Sequence, residues 1–320
     1  MLSSIHIERS TIIYMKPKFV ISTGTGWSAT TPLWYTLQVD NQFVHSGLEK
    51  ESKYLDSILR PIKKYNVIEK IRLRNKGFHK DRLPQVKNDI FLTQEDIITF
   101  TKPPFTLDKY ITYYRRLWET LQENDCSYQG VSDFSNVNAW LPKKFCYEVV
   151  ERLSEYFDVK VLLIVRDPIR RLWSEIGGYW SWYSTRQWKS EEEHNQLFFD
   201  FIQRDHINYF DIIEKWEKIC PFHVIIMEQL WEGDKQDKEK KRLSDFLDYD
   251  IEKIHENAYS PDRGLNAPQY LGLIDQWTSD KYLLREELYN QVKPLFSVYD
   301  KWIDKYGSLP LYWGKPYNYE

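Results

Sequence analysis

Net positive charge is missing from this 320-residue chain, in which 44 Lys and Arg stand against 47 Asp and Glu for a formal charge of -3. No global positive field therefore draws in nucleic acid, and a polyanion would have to be held by a local cluster. Cysteine is scarce: Cys126, Cys146 and Cys220 are odd in number and lack metal-ligand spacing. That usage points to a reducing compartment with buried or free thiols. No N-x-Ser/Thr sequon occurs, which agrees. Nor is there a run of about 20 apolar residues that would span a membrane. The N-terminal stretch MLSSIHIERSTIIYMKPKF is broken by Glu8 and Arg9 and does not read as a signal peptide. A soluble, cytoplasmic protein is the expectation. Internal repeats and long low-complexity stretches are also missing.

What the chain does have is apolar mass. Hydrophobic residues make up 42%, enough for a substantial core, and aromatics reach 16%, with 13 Trp and 23 Tyr. Such a surplus builds either a broad aromatic-lined cleft or a core packed with large rings. The length allows one large α/β domain or two small ones.

Four short apolar segments read as buried strands, being rich in β-branched residues and bounded by turn or helix signals. They are 19–22 (FVIS), a weaker 128–131 (YQGV), 159–165 (VKVLLIV) and 223–227 (HVIIM). Helix-like patterns follow the first at 31–37, precede the third at 142–157 and precede the fourth at 198–220. Alternating strands and helices imply a parallel sheet covered on both faces, with ligand held beyond the carboxyl ends of the strands. The charged stretches 59–104 and 180–195 read as irregular insertions over that edge.

After the first strand comes Thr23-Gly24-Thr25-Gly26-Trp27-Ser28-Ala29-Thr30-Thr31 and then a helix. Small residues let the backbone curl so that successive N–H groups face an anion, and the helix adds the positive end of its dipole. The spacing approximates the nucleotide-triphosphate loop G-x-x-x-x-G-K-[ST], with Gly24, Ala29, Thr30 and Thr31 in the key places. Thr30 stands where that motif requires lysine, which disfavours a Mg-nucleotide triphosphate but not a lone phosphate or phosphosulfate. Ala29 fits there if its φ is negative.

The strand 159–165 ends in Arg166-Asp167-Pro168-Ile169-Arg170-Arg171-Leu172-Trp173-Ser174. Asp167 is a good N-cap and Pro168 suits the first helical position. Arg166 then sits at the carboxyl edge of its strand and Ser174 about two turns into the helix. A guanidinium and a hydroxyl directed to one site suit a second phosphate. A surface pairing of Arg166 with Asp167 or a nearby Glu is the plainer reading of that arginine alone.

Together these two elements resemble the sulfotransferases that use 3′-phosphoadenosine 5′-phosphosulfate (PAPS). That family has a G-x-x-x-x-G-T-T-like loop for the 5′-phosphosulfate, and a strand ending V-R-[DN]-P-x-x-R-x-x-S whose Arg and Ser bind the 3′-phosphate. LLIVRDPIRRLWS matches the second pattern closely. Further similarity is to the heparan-sulfate-type (N-/O-) branch. Lys50-Glu51-Ser52-Lys53-Tyr54-Leu55 resembles its K-E-P-x-F-F segment, and Asp133-Phe134-Ser135 its D-F-T-P segment, with Asn136 where proline is usual. Met227-Glu228-Gln229-Leu230 resembles Y-E-D-L. Ser260-Pro261-Asp262-Arg263-Gly264 stands where a basic loop closes over the nucleotide, and LYNQVKPLFSVYDKWIDKYG resembles the terminal helix. The family's Lys or Arg within the loop is replaced here by Trp27, so Lys50, Arg263 or the charged insertion would have to supply that charge.

The resemblance implies a single α/β domain over 1–320, a P-loop-type parallel sheet flanked by helices, and sulfuryl transfer from PAPS to a hydroxyl or amine. The acceptor would be a glycan or small molecule, and no metal takes part. Loop residues 24–31 with Arg166, Ser174, Arg263 and Gly264 would bind PAPS and, after transfer, adenosine 3′,5′-bisphosphate (PAP). Glu51 would be the base and Lys50 would neutralise the departing phosphate; Glu49 and His45 are the rival bases. Asp133 and Ser135 lie near the acceptor, although an Asp there also serves as a turn cap. Trp180 and Trp182, in the run Tyr179-Trp180-Ser181-Trp182-Tyr183, would offer an acceptor platform or simply core rings. Two rival functions share these features: a PAP-, PAPS- or glycan-binding protein without turnover, and a P-loop small-molecule kinase.

Overall fold

The computed structural model describes residues 16–26, 28–47, 50–59, 92–168, 171–172, 175, 209–231, 235–255, 293–310 and 313. Five strands form one sheet: β1 (Lys18–Ser22), β2 (Val44–His45), β3 (Gly130–Asp133), β4 (Asp158–Val165) and β5 (Phe222–Ile226). Their order is β2-β3-β1-β4-β5 and every pairing is parallel. The α/β class with a helix-flanked parallel sheet is thus present. The crossover after β1 leads to one side and that after β4 to the other. The rim between β1 and β4 is therefore the switch point at which such sheets hold ligands.

Alternation along the central strands assigns each side chain to a face. Phe19, Ile21, Val159, Val161, Leu163 and Val165 join one core, and Val20, Leu162 and Ile164 the other. The second core is covered by α1 (Thr30–Tyr35), which runs on into a π-helical turn at Thr36–Asp40, by α7 (Met227–Trp231) and by α8 (Gln236–Leu247). The first is covered by α2 (Tyr54–Leu59), α3 (Gln94–Thr101), α4 (Leu107–Glu123), α5 (Lys143–Ser154), α6 (Tyr209–Trp216) and α9 (Phe296–Tyr306).

The 17-residue α4 is the longest described helix and lies outside the helices expected from the sequence. Its signal is nonetheless there: Leu107, Tyr110, Ile111, Tyr114, Leu117 and Leu121 recur at helical spacing and are all buried. The Thr106 side chain caps its start by accepting from Lys109 N at 3.3 Å. The stretch 59–104, expected to be irregular, contains α3, which a Thr93–Asp96 capping box starts. Phe100 of α3 is buried between Tyr54 (ring centroids 4.3 Å apart) and Tyr113 (3.7 Å), stacked on both. Tyr110 and Tyr114 continue the cluster to Phe19 of β1. Among the described residues the aromatic surplus therefore packs a core.

Candidate functional site

The loop 23–29 leaves β1 along β4: Thr23 N–H donates to Leu162 O at 2.8 Å, extending the ladder by one residue. At Gly24 the start of α1 approaches so closely that an added Cβ would lie 2.3 Å from Thr30 Cγ2 and 2.9 Å from Ile164 Cγ2. Gly24 is thus required by space. Gly26 is not, since the nearest atom to its virtual Cβ is Asn136 Nδ2 at 4.0 Å. Thr25 and Ser28 close the turn through their hydroxyls, 2.9 Å apart. Ala29 ends it at φ 61°, ψ 30°. The condition on which alanine fits there, a negative φ, is not met: Ala29 holds the left-handed conformation that glycine adopts more readily. Its carbonyl accepts from Leu33 N at 3.1 Å and starts α1. A helix start leaves its first amides without intrahelical acceptors. Here those are the N–H groups of Ala29, Thr30 and Thr31, because Pro32 has none.

The residues after β2 come up against this turn. Lys50 Nζ donates to Thr30 Oγ1 at 3.1 Å and to Glu51 Oε1 at 2.9 Å. The ammonium thus lies beside the very residue that replaces the loop lysine of the triphosphate motif. Asn136 Nδ2 donates to the same Glu51 oxygen at 2.9 Å. His45, the rival base, is buried at the end of β2 and its Nδ1 accepts from Gly47 N at 3.0 Å. Burial holds its pKa down to about 4, so it stays neutral. The other rival, Glu49, lies outside the described residues.

Beneath them Asp133 ends β3, buried, with its oxygens facing donors. Oδ2 accepts from Tyr110 OH at 2.8 Å and Ser52 Oγ at 3.3 Å, and Oδ1 from Ser135 N at 2.9 Å and Ser135 Oγ at 2.5 Å. Ser135 Oγ in turn accepts from Lys53 N at 2.9 Å, where Lys53 is held at φ 52°. Burial raises the Asp133 pKa, and the bonds from Ser135, Tyr110 and Ser52 oppose the rise. One network therefore runs from α4 through the β3 rim to residues 50–53 and on to the turn before α1.

Across the switch point, Arg166 leaves β4 at the same edge, 9% exposed, its carbonyl accepting from Tyr209 OH at 2.7 Å. Arg171 N donates to Asp167 O at 2.8 Å, the first bond of a helix that begins at Pro168 as expected. The Arg171 side chain is 3% exposed, pairs with Glu175 at 2.8 Å and reaches Gly26 O at 3.5 Å. Glu228, in the first turn of α7 just past β5, accepts from Asp167 N at 2.7 Å and from Trp313 Nε1 at 3.0 Å. Burial pushes its pKa up to about 7; the Asp167 charge adds to the rise, and the Asp167 N–H and Arg166 oppose it.

No protein-family model matches the chain, and no curated protein matches it in sequence. A solved structure similar in fold is that of the sulfotransferase STF9 from Mycobacterium avium, at 14% identity and a TM-score of 0.40. The alignment covers 92% of this chain and 78% of that one. A likeness so loose carries no argument about activity.

Of the residues expected at the site, Gly24, Thr25, Gly26, Ser28, Ala29, Thr30, Thr31, Lys50, Glu51, Asp133, Ser135 and Arg166 all lie at the carboxyl edge of the sheet. Polar contacts link Thr30, Lys50, Glu51, Ser52, Asp133 and Ser135 through Asn136 and Lys53. Trp27, Ser174, Trp180, Trp182, Arg263 and Gly264 lie outside the described residues. Tyr110, Ser52 and Arg171 also make contacts with these residues, although the sequence does not put them among the expected site residues. Arg171 was within reach, standing in the quoted motif; Tyr110 was not, because its role depends on α4 crossing beneath β3. Among the described residues no helix is long and apolar enough to cross a membrane.

Proposed function

We propose that this chain is a sulfotransferase that moves a sulfuryl group from PAPS to a hydroxyl or amine of an acceptor. The observation that carries the reading is the placement of Lys50, whose ammonium touches Thr30 at the loop and Glu51 beside it. A cation at the phosphate end and a carboxylate next to it are what transfer to a protic acceptor requires.

The donor set suits such a ligand. First-turn amides and hydroxyl side chains, without an acidic group in the turn, favour an anion. PAPS would bring a sulfuryl group already attached to a good leaving group, so alignment and charge can do most of the work. In this reading residues 24–31 hold the 5′ end and Arg166, with Ser174, the 3′-phosphate. Arg263 and Gly264 close over the nucleotide. Lys50, and Arg171 through its bond to the loop carbonyl of Gly26, stand in for the charge that Trp27 lacks. Glu51 takes the acceptor's proton. Asp133 and Ser135 act on the acceptor side by fixing residues 52 and 53, and Trp180 and Trp182 belong to the acceptor platform. Neither nucleic acid nor membrane is a partner in this scheme.

The test is thermal denaturation with PAP, ADP and ATP in separate samples. PAP at about 100 times its Kd should add about 2.7 kcal/mol of stability. Equal stabilisation by ADP or ATP, or none by PAP, would overturn the donor assignment.

A further inference from the structure

Asn136 departs from the proline usual at its place in the family pattern, and its geometry gives it work. It opens the 3-10 turn Asn136–Trp140 on the rim after β3. Glu51 as a carboxylate only accepts, so the amide must turn its N–H to Glu51 Oε1, 2.9 Å away. This leaves Asn136 Oδ1 on the other side, buried and without a hydrogen-bond partner. A buried carbonyl oxygen left so loses a bond that water would have supplied. The same amide borders the turn before α1, its Nδ2 being the nearest atom, at 4.0 Å, to where a Cβ on Gly26 would lie.

We propose that Asn136 is a positioning and specificity residue, its N–H groups holding Glu51 and its Oδ1 accepting a hydrogen from the acceptor. The inference rests on the sulfuryl-transfer reading. In that reaction the acceptor nitrogen or oxygen bonds to sulfur while the bond from sulfur to the 5′-phosphate oxygen breaks. The electron pair leaves on that oxygen and the acceptor's proton passes to Glu51. A nucleophile with a single hydrogen, such as a phenol, spends it on Glu51 and leaves Oδ1 unsatisfied. A primary amine, or a hydroxyl with a vicinal hydroxyl, has a second hydrogen for Oδ1. The shared chemistry is therefore a nucleophilic group with a second donor hydrogen, on the same atom in an amine or on the neighbouring hydroxyl in a diol.

The experiment compares the wild-type chain with Asn136→Ala and Asn136→Asp. PAP release from PAPS is followed with three acceptor types: primary amines, vicinal diols and phenols. PAP binding is measured by calorimetry on each variant. The wild type should prefer one of the two-hydrogen acceptors over phenols by at least tenfold in kcat/KM. Asn136→Ala should erase that preference through KM and, having also lost the N–H to Glu51, lower kcat for every acceptor, with PAP affinity unchanged. Asn136→Asp keeps an acceptor oxygen but loses the N–H to Glu51, so it should retain the preference while kcat falls. Phenols preferred by the wild type, or a preference intact in Asn136→Ala with PAP still bound, would overturn the Asn136 assignment alone. A wild type that binds no PAP would overturn the donor reading and this inference with it. Which two-hydrogen acceptor is faster separates an amine from a diol substrate.

Discussion

At the scale of single residues, the turn before α1 carries two opposite errors of substitution. Ala29 adopts φ 61°, where an L-residue with a Cβ pays roughly 1–2 kcal/mol. Ala29→Gly should therefore raise stability by about 1 kcal/mol, read from urea midpoints. Gly24→Ala should do the reverse, because Thr30 is β-branched and cannot easily move its methyl from 2.3 Å. Overpacking of that kind costs about 1–3 kcal/mol. A Gly24→Ala chain as stable as the parent would show that the turn is looser than its contacts imply. Glu51 is the residue on which turnover depends in the proposed reaction. Glu51→Gln keeps an oxygen for Lys50 and Asn136 but takes no proton. It should bind PAP normally and lose about 10²–10⁴ in kcat, the span of general-base catalysis. Full activity in that variant would remove Glu51 from the mechanism.

At the scale of elements, buried acids at a strand end and in the helix turn after another strand fix the rim. Asp133 ties β3 to α4 and to residues 52–53, and Glu228 ties β5 to the start of the helix after β4. Little of this could be read in sequence, since an Asp or Glu after a strand looks the same whether it faces water or a tyrosine from another helix. The strands were visible because β-branched runs in a parallel sheet are apolar on both faces. The two-residue β2 was not, being too short to show any period. Glu228 makes the element-scale argument measurable. Its folded pKa of about 7 lies above the ordinary 4.5, so between those values the folded chain holds a proton that the unfolded chain has lost. Stability from this group is greatest at low pH and declines as pH rises through that window, by up to about 1.4 kcal/mol per pH unit. Glu228→Gln forfeits one of the two accepted bonds and should be less stable at pH 5. Its stability should nevertheless fall less than the parent's between pH 5 and 7. Parallel stability–pH curves for the two proteins would show that Glu228 is ionised when folded.

On the scale of the whole molecule, the parallel sheet separates two jobs between its two edges. The expected site residues among those described gather at the carboxyl edge, because the motifs that suggested them follow strands of a parallel sheet. The amino edge is held by charge that no motif marked. Lys18 Nζ lies 2.6 Å from Asp158 and 2.9 Å from Asp248, and Lys160 Nζ lies 3.2 Å from Asp248. Those partners come from β1, β4 and the end of α8, far apart in sequence, so only the fold brings them together. Because the acids are well exposed and screened, the cluster should contribute no more than about 1 kcal/mol per pair. Lys18→Met should lower the melting temperature slightly, more at low salt than high, and leave PAP affinity untouched. Arg166→Ala should weaken PAP binding by about 1.5–3 kcal/mol, as for loss of a bond to a charged group. Calorimetric titration of both variants with PAP decides the matter. If Lys18→Met weakens binding as much as Arg166→Ala, the two edges are not independent and the phosphate assignment of Arg166 loses its meaning.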